Sequence, residues 1–497
     1  MDLSTVLSMV MTLNVAMAML GGAILGIIVG ALPGIGSAAT MAILLPISYK
    51  MDPITAISFL SALWAASVYG GSWTAILINV PGESMSVATA FDGYPMTRQG
   101  KALDALGAST MSAFVGGMAG VILLIFGAPF LNEYAVAFGP PEYVWVNLFA
   151  LLIIAVSMKG EMLKGIIAGL LGLSLSLFGI DSVLGVPRYT FGMLYMQNGI
   201  SVLSVMVGLF GFSEIIELAR MCGSTLPTGK MRGNLFAGMG AVFKYWKTTV
   251  IGIIIGSIIG FLPGIGGTAA NLLAYTETKR RSKHPDSFGK GNIEGIIAAE
   301  TASNAIQGTA MIPALTLGIP GSASAAILLM ALIMQGFEPG RMLFQSNPNF
   351  VGAFFATQIL SQFAMVIIGL AMLPLLSYIT RLANEFLTVS VGAFCLIGVY
   401  AVNSNLLDVM VAVIFGFVGY FLAKHKFQVV ALVVGLLLGA PTEMAFTQSL
   451  QISGGNYAIF FNRPLSQVMF GMCLALVALT QWGEIKGLFI RKPAAAS

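Results

Sequence analysis

Gly30-Ala31-Leu32-Pro33-Gly34-Ile35-Gly36-Ser37 returns almost unchanged as Gly260-Phe261-Leu262-Pro263-Gly264-Ile265-Gly266-Gly267, displaced by 230 residues at every matched position. Small and aliphatic residues lead into both copies, and Ala39 and Ala269 continue the match. Internal similarity of this kind marks a duplicated fold. Each copy interrupts an apolar segment, where proline removes a helix hydrogen bond and glycine permits backbone that is not helical. In lipid an unsatisfied backbone group costs several kcal/mol, so such a break is tolerated only against protein or beside a wet cavity. Matched breaks in two halves are the sequence feature that points to a transporter's binding site.

The surrounding chain is that of a membrane protein. Of 497 residues, 57% are hydrophobic and only 9% charged, with a mean hydropathy of +0.91. Apolar stretches recur from end to end and predict an all-α polytopic membrane protein of about 12 membrane segments, at roughly 20 residues per crossing. Met1-Asp2-Leu3-Ser4 lacks the basic start of a cleavable signal peptide, so the first segment is expected to remain. The net charge of +4 is too small to suggest a nucleic-acid surface. Three dispersed cysteines and two histidines, His284 and His425, support neither a disulfide framework nor a metal site. Gly22-x3-Gly26-x3-Gly30, Gly252-x3-Gly256-x3-Gly260 and Gly435-x3-Gly439 suit helices packed closely through small residues.

A second pair of breaks follows the first. Asn79-Val80-Pro81-Gly82-Glu83-Ser84-Met85-Ser86 has its counterpart in Gly318-Ile319-Pro320-Gly321-Ser322-Ala323-Ser324. After each comes a glycine, an aromatic residue and an arginine: Gly93, Tyr94 and Arg98, then Gly336, Phe337 and Arg341. The expected organisation is a first break-bearing repeat over 1–108, scaffold helices and a basic linker over 109–247, a second repeat over 248–345, and scaffold helices over 346–497. The stretch 109–218 reads as plain apolar helices. Basic strips at 218–247 and 279–290 are both expected in the cytoplasm, yet only 29 uncharged residues, Thr248 to Thr276, lie between them. A re-entrant hairpin turning at Pro263-Gly264-Ile265-Gly266-Gly267 places both strips on one side and is preferred to the alternative, one long tilted helix; the two repeats are expected to be inverted. The C-terminus, with Lys486, Arg491 and Lys492, is expected to be cytoplasmic.

Helix ends created at a break present free N–H groups and the positive end of the helix dipole, which suit anionic groups. The candidate substrate site is therefore Gly34, Gly36, Ser37, Pro81, Gly82, Ser84, Ser86, Gly264, Gly266, Gly267, Thr268, Pro320, Gly321 and Ser322. Gly36, Gly266 and Gly267 would let ligand approach the backbone, and the hydroxyls would add donors. A single break is readily explained as a kink; four in two matched pairs favour a site. Glu300 is a candidate coupling residue if it lies at membrane depth rather than in the water of the loop before it, with Asn304 one turn on. Asn79 and Asn271 adjoin breaks and either coordinate a cation or cap freed backbone groups. A coupling cation, Na⁺ or H⁺, is the only cofactor expected. Gly34-x-Gly36-x-x-Ala39 matches a dinucleotide fingerprint but lacks the strand it needs, and Gly223 to Lys230 has the wrong spacing for a phosphate loop.

These motifs, together with Phe91-Asp92-Gly93-Tyr94-Pro95-Met96, resemble the large membrane subunit of the tripartite tricarboxylate transporters. The resemblance implies a bacterial inner-membrane, ion-coupled importer of tricarboxylates such as citrate, or of related carboxylates. It also implies a small membrane subunit and a periplasmic substrate-binding protein as partners. From the residues alone the reading is a secondary transporter with a midplane anion site. An anion channel would need a continuous polar pore, and an intramembrane enzyme a nucleophile with its base; neither pattern is visible.

Overall fold

The computed structural model describes residues 2–32, 36–135, 138–156, 162–181, 185–213, 215–216, 232–263, 266–375 and 384–490. The basic linker around 217–231 and the break residues Pro33, Gly34, Ile35, Gly264 and Ile265 lie outside them. The described residues are mostly helical, and the chain divides into two compact units, Met1–Glu133 with Leu203–Tyr420, and Tyr134–Val202 with Phe421–Ser497.

The first unit contains all four breaks. Its break-bearing elements are, in chain order, α1 (Leu13–Gly30), α2 (Ser37–Ser48), α3 (Pro53–Ile78), α4 (Val87–Arg98), α5 (Trp246–Phe261), α6 (Gly267–Arg281), α7 (Ile293–Thr309), α8 (Met311–Leu317) and α9 (Ala323–Met334). The axis of this unit is α3, in which every residue from Ile54 to Leu77 is buried. Its sequence carries small or apolar residues on all faces, the pattern of a helix surrounded by others. Asp52 caps its start, accepting from Thr55 N–H at 3.1 Å, with Pro53 at the first helical position.

Glycines set the packing on this axis, and they do so twice. A Cβ at Gly22, Gly26 or Gly30 of α1 would collide with the backbone of Phe59, Leu63 or Ser67 in α3. At Gly256 of α5 the same collision would be with Ala302 of α7, and at Gly252 and Gly260 a Cβ would press on the side chains of Thr301 and Thr309 and come within 3.0 Å of the backbone of Ala298 and Ile306. The glycines correspond at an offset of 230 and their neighbours at 239. Within a membrane, helices associate by close packing rather than by expelling water, so a stripe of glycines is what admits this approach.

The second breaks repeat a backbone pattern at the same 239-residue offset. Val80 N–H donates to Thr74 C=O (3.4 Å) and Gly82 N–H to Gly71 C=O (3.1 Å), while Ile319 donates to Pro313 (3.2 Å) and Gly321 to Ala310 (3.2 Å). Each turn begins on a left-handed residue, Asn79 at φ 61° and Gly318 at φ 73°. Here asparagine and glycine do the same work, ending the helix and turning the chain back upon it.

By length and composition, six described helices could cross a membrane, or seven if Leu235–Lys244 and Trp246–Phe261, bent by 77°, form one span. Six further apolar helices among the described residues are shorter, and two of them, α2 and α9, flank breaks. A 12-residue helix such as α2 or α9 extends only about 18 Å, against a hydrocarbon core of roughly 30 Å. On either side of the break at Pro263, α5 and α6 pack on each other and together line a cavity between Ile251, Ile254, Ile258, Leu273 and Arg281.

The second unit packs helices Met162–Ser176 and Val429–Ile452 through glycines, with Gly435 against the backbone of Gly169. Its helix Pro140–Val156 holds buried Glu142, which pairs with Arg463 at 3.0 Å and accepts from Ser466 at 2.7 Å. One sequence expectation is corrected here, since the stretch 109–218 is not all plain helix. After Ser176 the chain forms a short antiparallel pair, Gly179–Ile180 with Pro187–Arg188. Gly179, Gly185, Tyr189, Phe191, Gly192 and Gly199 all adopt positive φ, which no helix accommodates. Arg188 fixes this turn by pairing with Asp181 (3.1 Å) and with Glu443.

Candidate functional site

At the first break, α2 begins at Ser37 after Gly36, and no side chain of its own first turn caps it. The cap comes from the other break of the same half. Ser37 N–H donates to Glu83 Oε2 at 2.5 Å, and Glu83 is only 5% exposed. A carboxylate at a helix N-terminus meets unsatisfied N–H groups and the favourable end of the dipole. The backbone of Glu83 reaches this place because Gly71 of α3 has no side chain; a Cβ there would lie 2.7 Å from Glu83 N. Gly36 has φ −72°, which any residue can adopt, and its Cβ would lie 3.5 Å from Glu83 Oε1. What passes over the Gly36 backbone in this structure is thus the chain's own carboxylate.

At the matching first break of the second half, α6 begins at Gly267 after Gly266, which lies at φ 81° and also lacks a side-chain cap. That dihedral does require glycine. Among the described residues, no heavy atom lies within 4 Å of the place a Cβ would take at Gly266. The position matching Glu83 is Ser322, whose hydroxyl turns inward to cap its own helix, accepting from Ala325 N–H at 3.2 Å.

The two halves meet at these breaks. Ser37 Oγ lies 3.0 Å from Ser324 Oγ, and Gly267 faces the side chain of Met85. Ser37 and Gly267 are matched positions, as are Met85 and Ser324. Each half therefore sets the start of its first broken helix against the second break of the other.

Beside this junction lies Glu300, fully buried on α7. Its carboxylate accepts from Ser72 Oγ at 2.7 Å and from Thr89 Oγ1, and Ser72 also contacts Ser86 Oγ at 3.2 Å. Among the described residues neither Glu300 nor Glu83 makes a salt bridge. A buried carboxylate ringed by hydroxyl oxygens is the chemistry that takes a hard cation or a proton. Asn271 is a capping group here: Oδ1 accepts from Ala88 N–H (2.7 Å) at the start of α4, and Nδ2 donates to Ser303 (3.0 Å). Asn304 donates to the Glu300 carbonyl (2.9 Å) and accepts from Gln307 (2.8 Å), which in turn accepts from Gln362 (3.2 Å).

Of the residues expected from sequence, Gly36, Ser37, Ser86, Gly267, Ser322, Asn271, Glu300 and Asn304 lie in or directly behind this junction. Thr268 is half-buried in the first turn of α6. Pro81, Gly82, Pro320 and Gly321 shape the second-break turns, and Asn79 and Ser84 are exposed. Gly34 and Gly264 lie outside the described residues. Sequence reasoning assigned no part to Glu83, Ser72, Thr89 or Asp92. Glu83 carried a signal, a carboxylate within a Pro-Gly break of an apolar region. Asp92 holds the loop before α7, its Oδ1 accepting from Gly289, Gly291 and Asn292 N–H groups, each at 2.8 Å, and its Oδ2 from Tyr275 OH at 2.8 Å.

A family model for the tripartite tricarboxylate transporter TctA family matches residues 16–434. The chain is 35% identical over 465 residues to an Agrobacterium vitis protein described as an uncharacterized 52.8 kDa protein in the TAR-I ttuC' 3' region, covering 94% of this chain and 93% of the relative. A second Agrobacterium vitis protein, described as an uncharacterized protein in the TAR-II ttuC' 3' region, is 33% identical over 231 residues, 46% of this chain and 96% of that relative. With its apolar helices, its matched breaks and a family match over most of its length, the chain is a multi-pass membrane protein that belongs to the tripartite tricarboxylate transporter TctA family.

Proposed function

We propose that this chain is the transport subunit of an ion-coupled secondary transporter, not an enzyme, and that it imports tricarboxylates or related carboxylates across a bacterial inner membrane. The observation that carries the reading is the junction of the two halves, where two helix starts without a cap from their own N-cap residues, one of them met by Glu83, lie beside Ser37, Ser324, Gly266 and Gly267. Substrate carboxylates are held there by backbone N–H groups, each such charge-assisted bond contributing about 1.5–3 kcal/mol. Glu300 with Ser72 and Thr89 holds the coupling cation, Na⁺ or H⁺, next to the substrate. The break-bearing segments 1–108 and 248–345 act as two inverted repeats that move against the scaffold segments. The short helices flanking the breaks enter the membrane in pairs, giving about 12 membrane segments. Alternating access follows when this motion exposes the junction to one side and then the other. A small membrane subunit and a periplasmic binding protein complete the system, the latter delivering substrate.

Counterflow in proteoliposomes containing the chain and both partners is the test. Labelled carboxylate should accumulate transiently against unlabelled carboxylate inside, and net uptake should follow an imposed Na⁺ or H⁺ gradient. Simple equilibration without counterflow indicates a channel, and full high-affinity uptake by this chain alone contradicts a tripartite system.

A further inference from the structure

We propose that Glu83 is a built-in competitor of the substrate, its carboxylate holding the N-terminus of α2 until a polycarboxylate takes its place. This rests on the reading of the junction as a carboxylate site. Three features carry it beyond that reading. First, Glu83 presents to Ser37 N–H the same chemical group that a carboxylate substrate would present, at the place where such a substrate would meet the helix start. Exchanging one carboxylate for another conserves a charge-assisted hydrogen bond, so the replacement is close to balanced.

Second, Glu83 is lightly held for a buried acid. Among the described residues its hydrogen bonds come from Ser37 alone, backbone and side chain, whereas buried Asp92 accepts three backbone N–H groups and a tyrosine hydroxyl. Asp92 is fastened as a structural anchor; Glu83 is placed as an exchangeable occupant. Third, the matched residue in the other half is Ser322, which caps its own helix and leaves the start of α6 to other ligands. Two buried anions cannot share one helix start, because at close range in a weakly polarisable interior they repel strongly. A monocarboxylate can therefore bind at α6 while Glu83 stays in place, but a di- or tricarboxylate that engages both helix starts must displace it.

The test compares apparent dissociation constants of acetate, succinate and citrate for the purified chain and four variants, each first checked for a monodisperse elution profile. Glu83→Gln keeps an oxygen for Ser37 N–H but removes the charge, and Glu83→Ser copies the second half. Both should tighten succinate and citrate by on the order of 10-fold, the factor expected if Glu83 holds its site about nine-tenths of the time. Acetate should change less than about twofold on the same basis. Ser322→Glu should install a competitor at α6 and weaken all three ligands. This variant keeps the test decisive if loss of Glu83 impairs folding. Gly266→Val reports on the site reading itself. Weakened citrate binding in Gly266→Val together with unchanged or weakened binding in folded Glu83 variants overturns the competitor role and leaves the site intact. Unchanged citrate affinity in folded Ser322→Glu also overturns it. Citrate binding indifferent to Gly266→Val overturns the site reading and this proposal with it.

Discussion

The starts of α2 and α6 occupy matched positions and are built from nearly the same residues, yet one meets a carboxylate and the other does not. Ser37 N–H meets Glu83; the start at Gly267 faces Met85, and the residue that corresponds to Glu83 in this half, Ser322, is engaged with its own helix. The buried acid of the second half shows the reverse substitution. Glu300 on α7 corresponds to Ser61 on α3, which accepts from Gln358 at 2.6 Å. Each half thus contributes one buried carboxylate where its counterpart has serine. A duplicated scaffold supplies two similar helix starts, and the acids make the two halves unequal; on the proposed function this separates an anion site from a cation or proton site.

The largest expected effect lies at Glu300. Glu300→Gln removes the charge that a bound cation would neutralise, at a cost of about 2–5 kcal/mol, or on the order of 30-fold or more in cation affinity. Ion-driven uptake should collapse while carboxylate counterflow persists. Loss of both in a well-folded variant would place Glu300 in substrate binding rather than coupling.

Next comes the contrast between the two glycines. Gly266→Val forces a branched residue into φ 81° at a site where the backbone must stay accessible, and carboxylate affinity should fall about 10- to 150-fold if one charge-assisted bond of 1.5–3 kcal/mol is lost. Gly36→Ala adds a methyl in ordinary contact with Glu83 at an unstrained φ of −72°, so affinity should change less than about threefold. Equal losses in titrations of the two variants would mean that the helix starts are equivalent.

A smaller and purely structural effect is expected at Asp92. Asp92→Ala leaves the Gly289, Gly291 and Asn292 N–H groups without their acceptor at a half-buried site, which should cost about 1–3 kcal/mol in thermal unfolding. Carboxylate affinity in the folded fraction should be unchanged. A loss of affinity at constant stability would tie this loop to the binding site.

Much of this contrast was legible in the chain itself, because proline and glycine in an apolar segment have few physical explanations. The 230-residue repeat, the second breaks and the Gly-x3-Gly faces all correspond to close helix approaches or turned backbone in the structure. Glu300 stood out as a carboxylate in an apolar stretch. Glu83 did so too, but its partner Ser37 is 46 residues away, and nothing local brings the two breaks together. The hydroxyls of Ser72 and Thr89 were invisible as ligands, since serine and threonine are unremarkable on membrane helices and only tertiary packing turns these two toward Glu300. Gly36 and Gly266 looked interchangeable, and only their dihedrals separate them. The antiparallel pair after Ser176 was missed because its glycines resemble the small residues of a packed helix.

If the start of α6 receives a substrate carboxylate, Thr268 in its first turn is the position from which to watch this. In a cysteine-free background, Thr268→Cys should react with a small thiol reagent, and a saturating di- or tricarboxylate should slow that reaction on the order of 10-fold, as occupancy near 90% would require. Cysteine at Gly240, on a helix outside the junction and with no heavy atom within 4 Å among the described residues, should react at the same rate with or without ligand. Protection at Thr268 alone is the predicted result; no protection there by any of a panel of di- and tricarboxylates, or equal protection at both positions, contradicts the account.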